Sequence, residues 1–522
     1  MDQRNLSRLA NLLITSIERE EIKKQTKLGI SVNRFVSEIA SWYEKLRNAM
    51  DYRDEEVVRR AAIERILKRR LLFGGNGIKI APILIRELLW ARYFPESSIS
   101  EEEIDKVANV IDLYLELRQH LIRQKLKINA DTLIYQLLSS NLEVMLNKNK
   151  DIDFISNFIF HLLKEQVVIT DDSKETRDVQ VFLAVRRSFA KDDLGFLRFR
   201  MFEQYFGELN KNNLESVAAN FKKGMDEMDR QINYKLKDRI SSYIKKQLPP
   251  FLIFSEILRR ERTNTRALIA EQEAFRESIF EAADSRYQTI SGKVHRAIVR
   301  SVIFILLTKF IFAFSVEATY NNLVYGEIIW KSTIINILTP PILMIIASLF
   351  IKTPDAKNTE RIYERMLNIL FTEKPQLDRL LTLSLKPVRK HPILDFIFTF
   401  LWWAAFILSF GSIIYLLKGL EFSVVSQVVF IFFLVLVSLF TYRIYQTAQS
   451  YTVRVRQSLL APIVDFFFMP IIRVGRRLAE GLAQINIFLY IFDYLIETPF
   501  KEVFRFLEQW FFFLQTKREE LG

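Results

Sequence analysis

The chain has 522 residues, with 74 Lys and Arg against 61 Asp and Glu, and it contains no cysteine. With only 14 Gly and 13 Pro it is too poor in turn residues for an immunoglobulin-like sandwich or a Rossmann enzyme, and at 50% apolar it is no disordered chain. The missing cysteine excludes disulfides, thiolate nucleophiles and Cys-ligated metal centres.

Charge is unevenly spread: residues 1–300 carry 52 basic and 44 acidic side chains, and residues 301–522 only 22 and 17. Residues 1–210 read as a cytoplasmic all-helical domain. Leu6, Leu9, Leu13 and Ile17 recur at three-to-four spacing, as do Phe35, Ile39, Trp42/Tyr43 and Leu46. Asp54 to Leu71 is a strong helix former that ends at Gly74-Gly75-Asn76-Gly77, where left-handed backbone is cheap. Val167-Val168-Ile169 reads as a short extended piece before the Asp171-Asp172-Ser173 turn. In residues 211–296, Leu214, Val217, Phe221, Met225, Met228, Ile232, Leu236 and Ile240 sustain a coiled-coil-like stripe. Pro249-Pro250 is expected to break it into a long helical hairpin.

Four apolar stretches follow, at about 297–316, 332–351, 392–417 and 423–444. Each reaches the ~20 residues that a helix needs to cross ~30 Å of hydrocarbon. The connection 352–391 holds nine basic residues, from Lys352 to Lys390, whereas 317–331 holds one. By the positive-inside rule both termini are then cytoplasmic, in a multi-pass inner-membrane protein without a cleaved signal peptide. The charged first 25 residues give no signal-peptide pattern, so the first span is the internal targeting signal. Residues 445–522 read as cytoplasmic amphipathic helices rich in aromatics. Arg473, Arg476 and Arg477 form an interfacial basic cluster that suits anionic headgroups. Gly475, Ala479 and Ala483 form a small-residue packing seam, and Thr498-Pro499 starts a last helix.

The fold class expected is therefore all-α: a helical domain, a hairpin, a four-span bundle and an amphipathic tail. Chemistry is sparse. No phosphate-binding glycine loop, zincin or nucleophile-elbow motif is present, and the four histidines are isolated in sequence. No cofactor or metal is implied, and acids interleaved with the basic residues argue against nucleic acid. The informative residue is Lys309, in the middle of the first apolar stretch, where a bare ammonium costs ~3 kcal/mol or more. Asp395 and Glu317 are its candidate partners, and Pro340-Pro341 marks an expected kink in the second stretch. The expectation for function is a non-enzymatic membrane-anchored scaffold or assembly factor, binding protein partners through its cytoplasmic helices, with a homo-oligomer as one option. The alternative is an oligomeric channel or transporter subunit using Lys309, the proline pair and Ser409-Phe410-Gly411-Ser412.

Overall fold

A computed structural model describes residues 5–22, 36–41, 44, 55–72, 74–96, 98–124, 130–326, 330–376, 380–386, 392–453, 466, 469–475, 477, 506, 509–510 and 513–514. Helices dominate, as expected. The first group is α1 (Arg8–Ile22), α2 (Glu55–Leu71), α3 (Gly77–Trp90), α4 (Glu101–Arg123), α5 (Ala130–Leu146), α6 (Asp151–Leu163), α7 (Lys174–Val185), α8 (Leu194–Phe206) and α9 (Leu214–Ile232). Polar residues start several of these helices. Ser100 and Glu103 close a capping box on α4, and Asp193 caps α8 by accepting from the Phe196 N–H at 3.0 Å.

These helices, with α10 (Lys237–Glu261), α11 (Thr265–Ala270), the start of α12 (Gln272–Phe312) and α15 (Ala356–Phe371), build a helical body with two cores. One core joins α2 to α5, α8 and α9 through residues such as Ile63, Leu84, Tyr114, Leu137, Phe202 and Phe221. The other joins α1, α6, α7, α10, α12 and α15 through Ile14, Ile159, Val181, Phe251, Ile279 and Ile369.

The expected hairpin is not what forms. The stripe over 213–248 divides at Asn233–Leu236 into α9, which serves the first core, and α10, which serves the second. Nor does Pro249-Pro250 break a helix, because α10 runs straight through both prolines. A proline inside a helix costs ~3 kcal/mol. Against that, α10 buries Ile240, Ile244, Leu248, Phe251, Phe254 and Ile257, and each such side chain contributes about 1.5–3 kcal/mol on burial. Packing therefore outweighs backbone preference here.

The extended piece is real and has a distant partner. β1 (Val167–Ile169) pairs in parallel with β2 (Leu381–Leu383), which lies in the basic connection between the second and third apolar stretches. The Asp171 carboxylate extends the link, accepting from Ser384 Oγ at 2.8 Å and from the Lys386 N–H at 2.7 Å. Hydrogen bonds from Thr170, the Lys386 backbone and Ser384 hold its carboxyl down at about 2, against an ordinary 3.8. A carboxyl with a depressed folded-state pKa supports the fold above its ordinary value and loses that support as pH falls through the folded value. The amides of Thr170 and Lys386, corrected for intrinsic rates, are therefore expected to lose exchange protection between pH 3.8 and about 2. Asp171→Asn should show the weaker protection at neutral pH as well; equal protection in both proteins would remove this role.

A third strand of the chain joins the same body. Asn358, on α15, donates through Nδ2 to Tyr287 Oη of α12 at 2.7 Å and to the Tyr451 carbonyl at 2.9 Å. Its Oδ1 accepts from the Val453 N–H at 2.8 Å. The segments before the first apolar helix, between the second and third, and after the fourth thus meet on one side of the bundle.

Among the described residues, three helices are long and apolar enough to cross a membrane: Gln272–Val324, which includes the apolar end of α12, Phe396–Gly419 and Val424–Ala448. Thr333–Leu349 is a shorter apolar helix. The second and third of these long helices belong to α16 (Pro392–Gly419) and α17 (Val424–Ala448), and the short one to α14 (Trp330–Leu349). α12, α14 and α17 pack around Ile305, Met344, Phe433 and Val437. α16 stands beside them and meets α17 chiefly at its own end, through Leu417, Phe422 and Phe430. Pro340 and Pro341 lie buried inside α14, which continues across them.

The start of the expected cytoplasmic tail lies elsewhere than expected. A Cβ placed on Gly475 would sit 3.1 Å from the Val435 carbonyl oxygen, so residues 469–475 run against the middle of α17 rather than beneath it. The Arg473 guanidinium lies 4.8 Å from the centre of the Trp402 ring on α16. The absence of a side chain at Gly475 is what permits this approach. Ala479, Ala483, Arg476 and Thr498-Pro499 fall outside the described residues, and Arg477 is exposed.

Candidate functional site: a polar nest inside the apolar helices

Beyond Phe312 the first apolar helix widens into a π-helical turn, Ala313–Ala318, and then continues as α13 (Thr319–Tyr325). This turn determines which side chains meet. Lys309 and Glu317 are eight apart, which on a regular helix leaves them about 80° from one another around the axis. The extra residue of a π turn reduces that to roughly 20°. Both side chains then point into the bundle.

Lys309 and Glu317 are each 0% exposed, and Lys309 Nζ donates to Glu317 Oε1 at 2.5 Å. On its other side the ammonium lies 5.1 Å from the centre of the Phe433 ring of α17, a cation–π contact that gains strength where water is excluded. Glu317 Oε2 accepts from Nδ2 of Asn336 on α14. The same Nδ2 lies 3.3 Å from the Ser426 carbonyl at the start of α17. Ser423 caps that helix, accepting from the Ser426 N–H at 3.3 Å. The carboxylate ties α12 to α14, and the Asn336 amide carries the link on to α17.

The nest is only partly satisfied. Asn321, one turn beyond Glu317, is 0% exposed and neither of its amide atoms has a hydrogen-bond partner. Asn336 Oδ1 is likewise buried without a donor.

Of the residues singled out from sequence, the structure brings Lys309 and Glu317 together. The Asp395 side chain lies outside the described residues. Pro340 and Pro341 lie inside α14 beyond Asn336, and Gly475 and Arg473 serve a separate contact with α17 and α16. Asn321, Asn336, Ser426 and Phe433 were not singled out. Asn336 was detectable as an amide inside an apolar stretch. Asn321 falls in the 317–331 connection between apolar stretches, and nothing in the sequence announces that the helix continues through a π turn.

The helical body uses its charges structurally. Arg186 reaches Asp192 and Asp153 at 2.6 Å each, and Arg200 reaches Asp153 at 2.8 Å. Burial pushes the Asp192 carboxyl up, whereas the Arg200 and Arg186 guanidiniums overcome burial and hold Asp153 down. Arg60, itself buried, bridges Glu64, Ser139 and Asp193. Glu103 is spent on its helix cap. Among the described residues, no three His, Asp or Glu side chains converge to hold a metal. The body does carry a groove of about 1100 Å³ between α7, α8 and α9, with Val179, Met201 and Tyr205 on its apolar surface and Lys222, Lys223 and Asp226 at its edge.

Fold and site together define an all-α protein with a charged helical body and apolar, membrane-length helices that enclose an ion pair. Comparison with protein-family models, with curated proteins and with solved structures finds no match for the chain.

Proposed function

We propose that the chain is a multi-pass membrane protein that acts as a membrane-anchored scaffold, with its helical body as a platform for protein partners. In this reading α14 completes four spans, and the body, the 352–391 connection and residues 449–453 after α17 face the cytoplasm. The basic residues of that connection then lie beside anionic headgroups. The observation that supports the scaffold most is α12. It carries Phe275, Ile279 and Tyr287 of the body's core and Ile305 and Lys309 of the bundle on one helix of 41 residues. A partner held by the body is thereby fixed rigidly to the membrane. The groove between α7, α8 and α9 supplies a concave, mixed-charge surface for that partner.

The test is site-specific photocrosslinking of the full chain in its native membrane. A crosslinker at Tyr205, in the groove, is expected to give an adduct of one defined mass, and one at exposed Leu72 is not. Equal yields at both positions, or no adduct at Tyr205, would count against the scaffold.

The alternative, an oligomeric channel or transporter subunit, needs Lys309 on a wetted path. Its ammonium is enclosed by Glu317 and Phe433 with no exposed surface, which favours the scaffold. Ion flux in proteoliposomes above that of empty vesicles would reverse the preference.

A further inference from the structure

Arg473 stands where a cation is costly. Trp402, whose ring it covers, lies six residues, about 9 Å, inside the apolar helix that begins at Phe396. Two positions after Arg473, Gly475 faces Val435 and Leu439 of α17. Val435 is the twelfth of the 25 residues of that helix. The segment 469–475 is therefore set against the apolar middle of α17 and the inner side of α16, deeper than the surface position its arginines suggest from sequence.

The guanidinium is exposed there. Among the described residues it touches the Trp402 face, and no carboxylate or other hydrogen-bond acceptor reaches it. α17 has no acidic residue, and α16 has Asp395 alone, seven residues and about 10 Å before Trp402 along the axis. Arg477, four positions on, is exposed as well and adds a second cation on the same side of the helix. A guanidinium in apolar surroundings needs an anion. Its planar fork of N–H donors matches the oxygens of a phosphate.

Beside the guanidinium the wall of α16 is aromatic. Trp402, Phe406 and Phe410 follow one another at ring separations of 5.3 and 6.0 Å, each of them partly exposed. They form an apolar track that leads from Arg473 further into the span. A phosphate-binding group at the head of an apolar track fits an amphiphile, whereas free phosphate would use the first half alone.

We propose that Arg473 and Trp402 form the headgroup site of a bound anionic phospholipid, whose acyl chains lie along Phe406 and Phe410. The inference rests on α16 and α17 being membrane spans. With two guanidiniums and no carboxylate in contact, the site prefers a lipid of net negative charge to one whose own choline already balances its phosphate. α16 meets α17 chiefly at its own end, through Leu417, Phe422 and Phe430. The lipid supplies a second attachment on the other side of its midpoint.

The experiment places the full chain in phosphatidylcholine nanodiscs that contain a phosphatidylglycerol with a photoreactive acyl chain, and maps the adducts by peptide mass spectrometry. Wild type is expected to collect adducts at 402–410 several-fold above those at the exposed Phe310 face of α12. Excess unlabelled phosphatidylglycerol should remove that surplus, and added phosphatidylcholine or inorganic phosphate should not. Arg473→Gln should abolish the surplus, Arg473→Lys should keep part of it, and Arg443→Gln, at another exposed basic residue of α17, should keep all of it. A surplus that survives in Arg473→Gln overturns the site and leaves the spans standing. So does a yield at 402–410 no higher than at Phe310, or equal competition by phosphatidylcholine or inorganic phosphate, results that need no variant to fold. Absence of adducts from α12, α16 and α17 alike overturns the membrane reading itself, and the site with it.

Discussion

Lys309→Leu is expected to destabilise the bundle by roughly 3–5 kcal/mol, the usual cost of removing one partner from a buried pair. The replacement leaves the Glu317 carboxylate with no counter-charge at a position with no exposed surface. Its remaining donor is Asn336 Nδ2, which is not enough to solvate a full charge. The double variant Lys309→Leu, Glu317→Leu should recover most of the loss, because replacing a buried pair by apolar groups of similar volume is often neutral or favourable. Thermal unfolding of both single variants and the double variant in one detergent completes a mutant cycle. The coupling expected is of order 2 kcal/mol or more, as for close buried charges. If the double variant loses the sum of the two single losses, the coupling is zero, the two residues do not act as a pair and the nest is held by packing alone.

Gly77→Val should be comparably damaging in the body, at ~3 kcal/mol or more, for a different reason. Gly77 opens α3, and its N–H donates to Asp112 Oδ1 of α4 at 2.6 Å. A Cβ at this position would lie 1.9 Å from the Ala108 carbonyl oxygen, also on α4. Real Cβ atoms do not approach backbone oxygen that closely, so α3 and α4 must move apart. Ile80, Leu84 and Leu88 would then withdraw from Ile111 and Tyr114, which share their core. Gly77→Ala should show most of the same loss, because the first carbon already collides. Heat or denaturant unfolding followed by the body's helical signal checks this. If Gly77→Ala unfolds at the wild-type midpoint, the helix start slides without cost and the contact is soft.

Local signals in the sequence were reliable where the chain's own chemistry decides the outcome. The stripe of α1, the Gly74-Gly75-Asn76-Gly77 stop, the extended Val167–Ile169 and the length of the apolar helices near 396–419 and 424–448 all follow from spacing and side-chain type. What was not legible depends on distant partners. Nothing near Pro249 says that Phe251 and Phe254 will be buried beside Phe158 of α6 and Phe275 of α12, yet that burial keeps α10 whole. Periodicity over 213–248 is continuous because α9 and α10 each need an apolar face, and it cannot reveal that the faces serve different cores. Lys309 stood out because a charge in an apolar stretch has no cheap solution. The choice between Glu317 and Asp395 turned on the π turn, a matter of backbone phase rather than residue type. Gly475 carried the right signal, a small residue for close approach, but its partner at Val435 was invisible.

The parallel pairing of Val167–Ile169 with Leu381–Leu383 has a consequence for biosynthesis. The two strands are separated by more than 200 positions, and two of the apolar helices lie between them. Val453, which follows the last of those helices, is also part of the second core. A ribosome delivers the chain from its first residue, at about 5–20 residues per second. α2 to α5, α8 and α9 can close their core early, within a contiguous stretch. α1, although made first, waits for α15. The second core is a late, high-contact-order assembly that closes only after the apolar helices have been inserted. Until then its exposed face, Ile14, Ile159, Phe251 and Ile279 included, is open to chaperones and to aggregation.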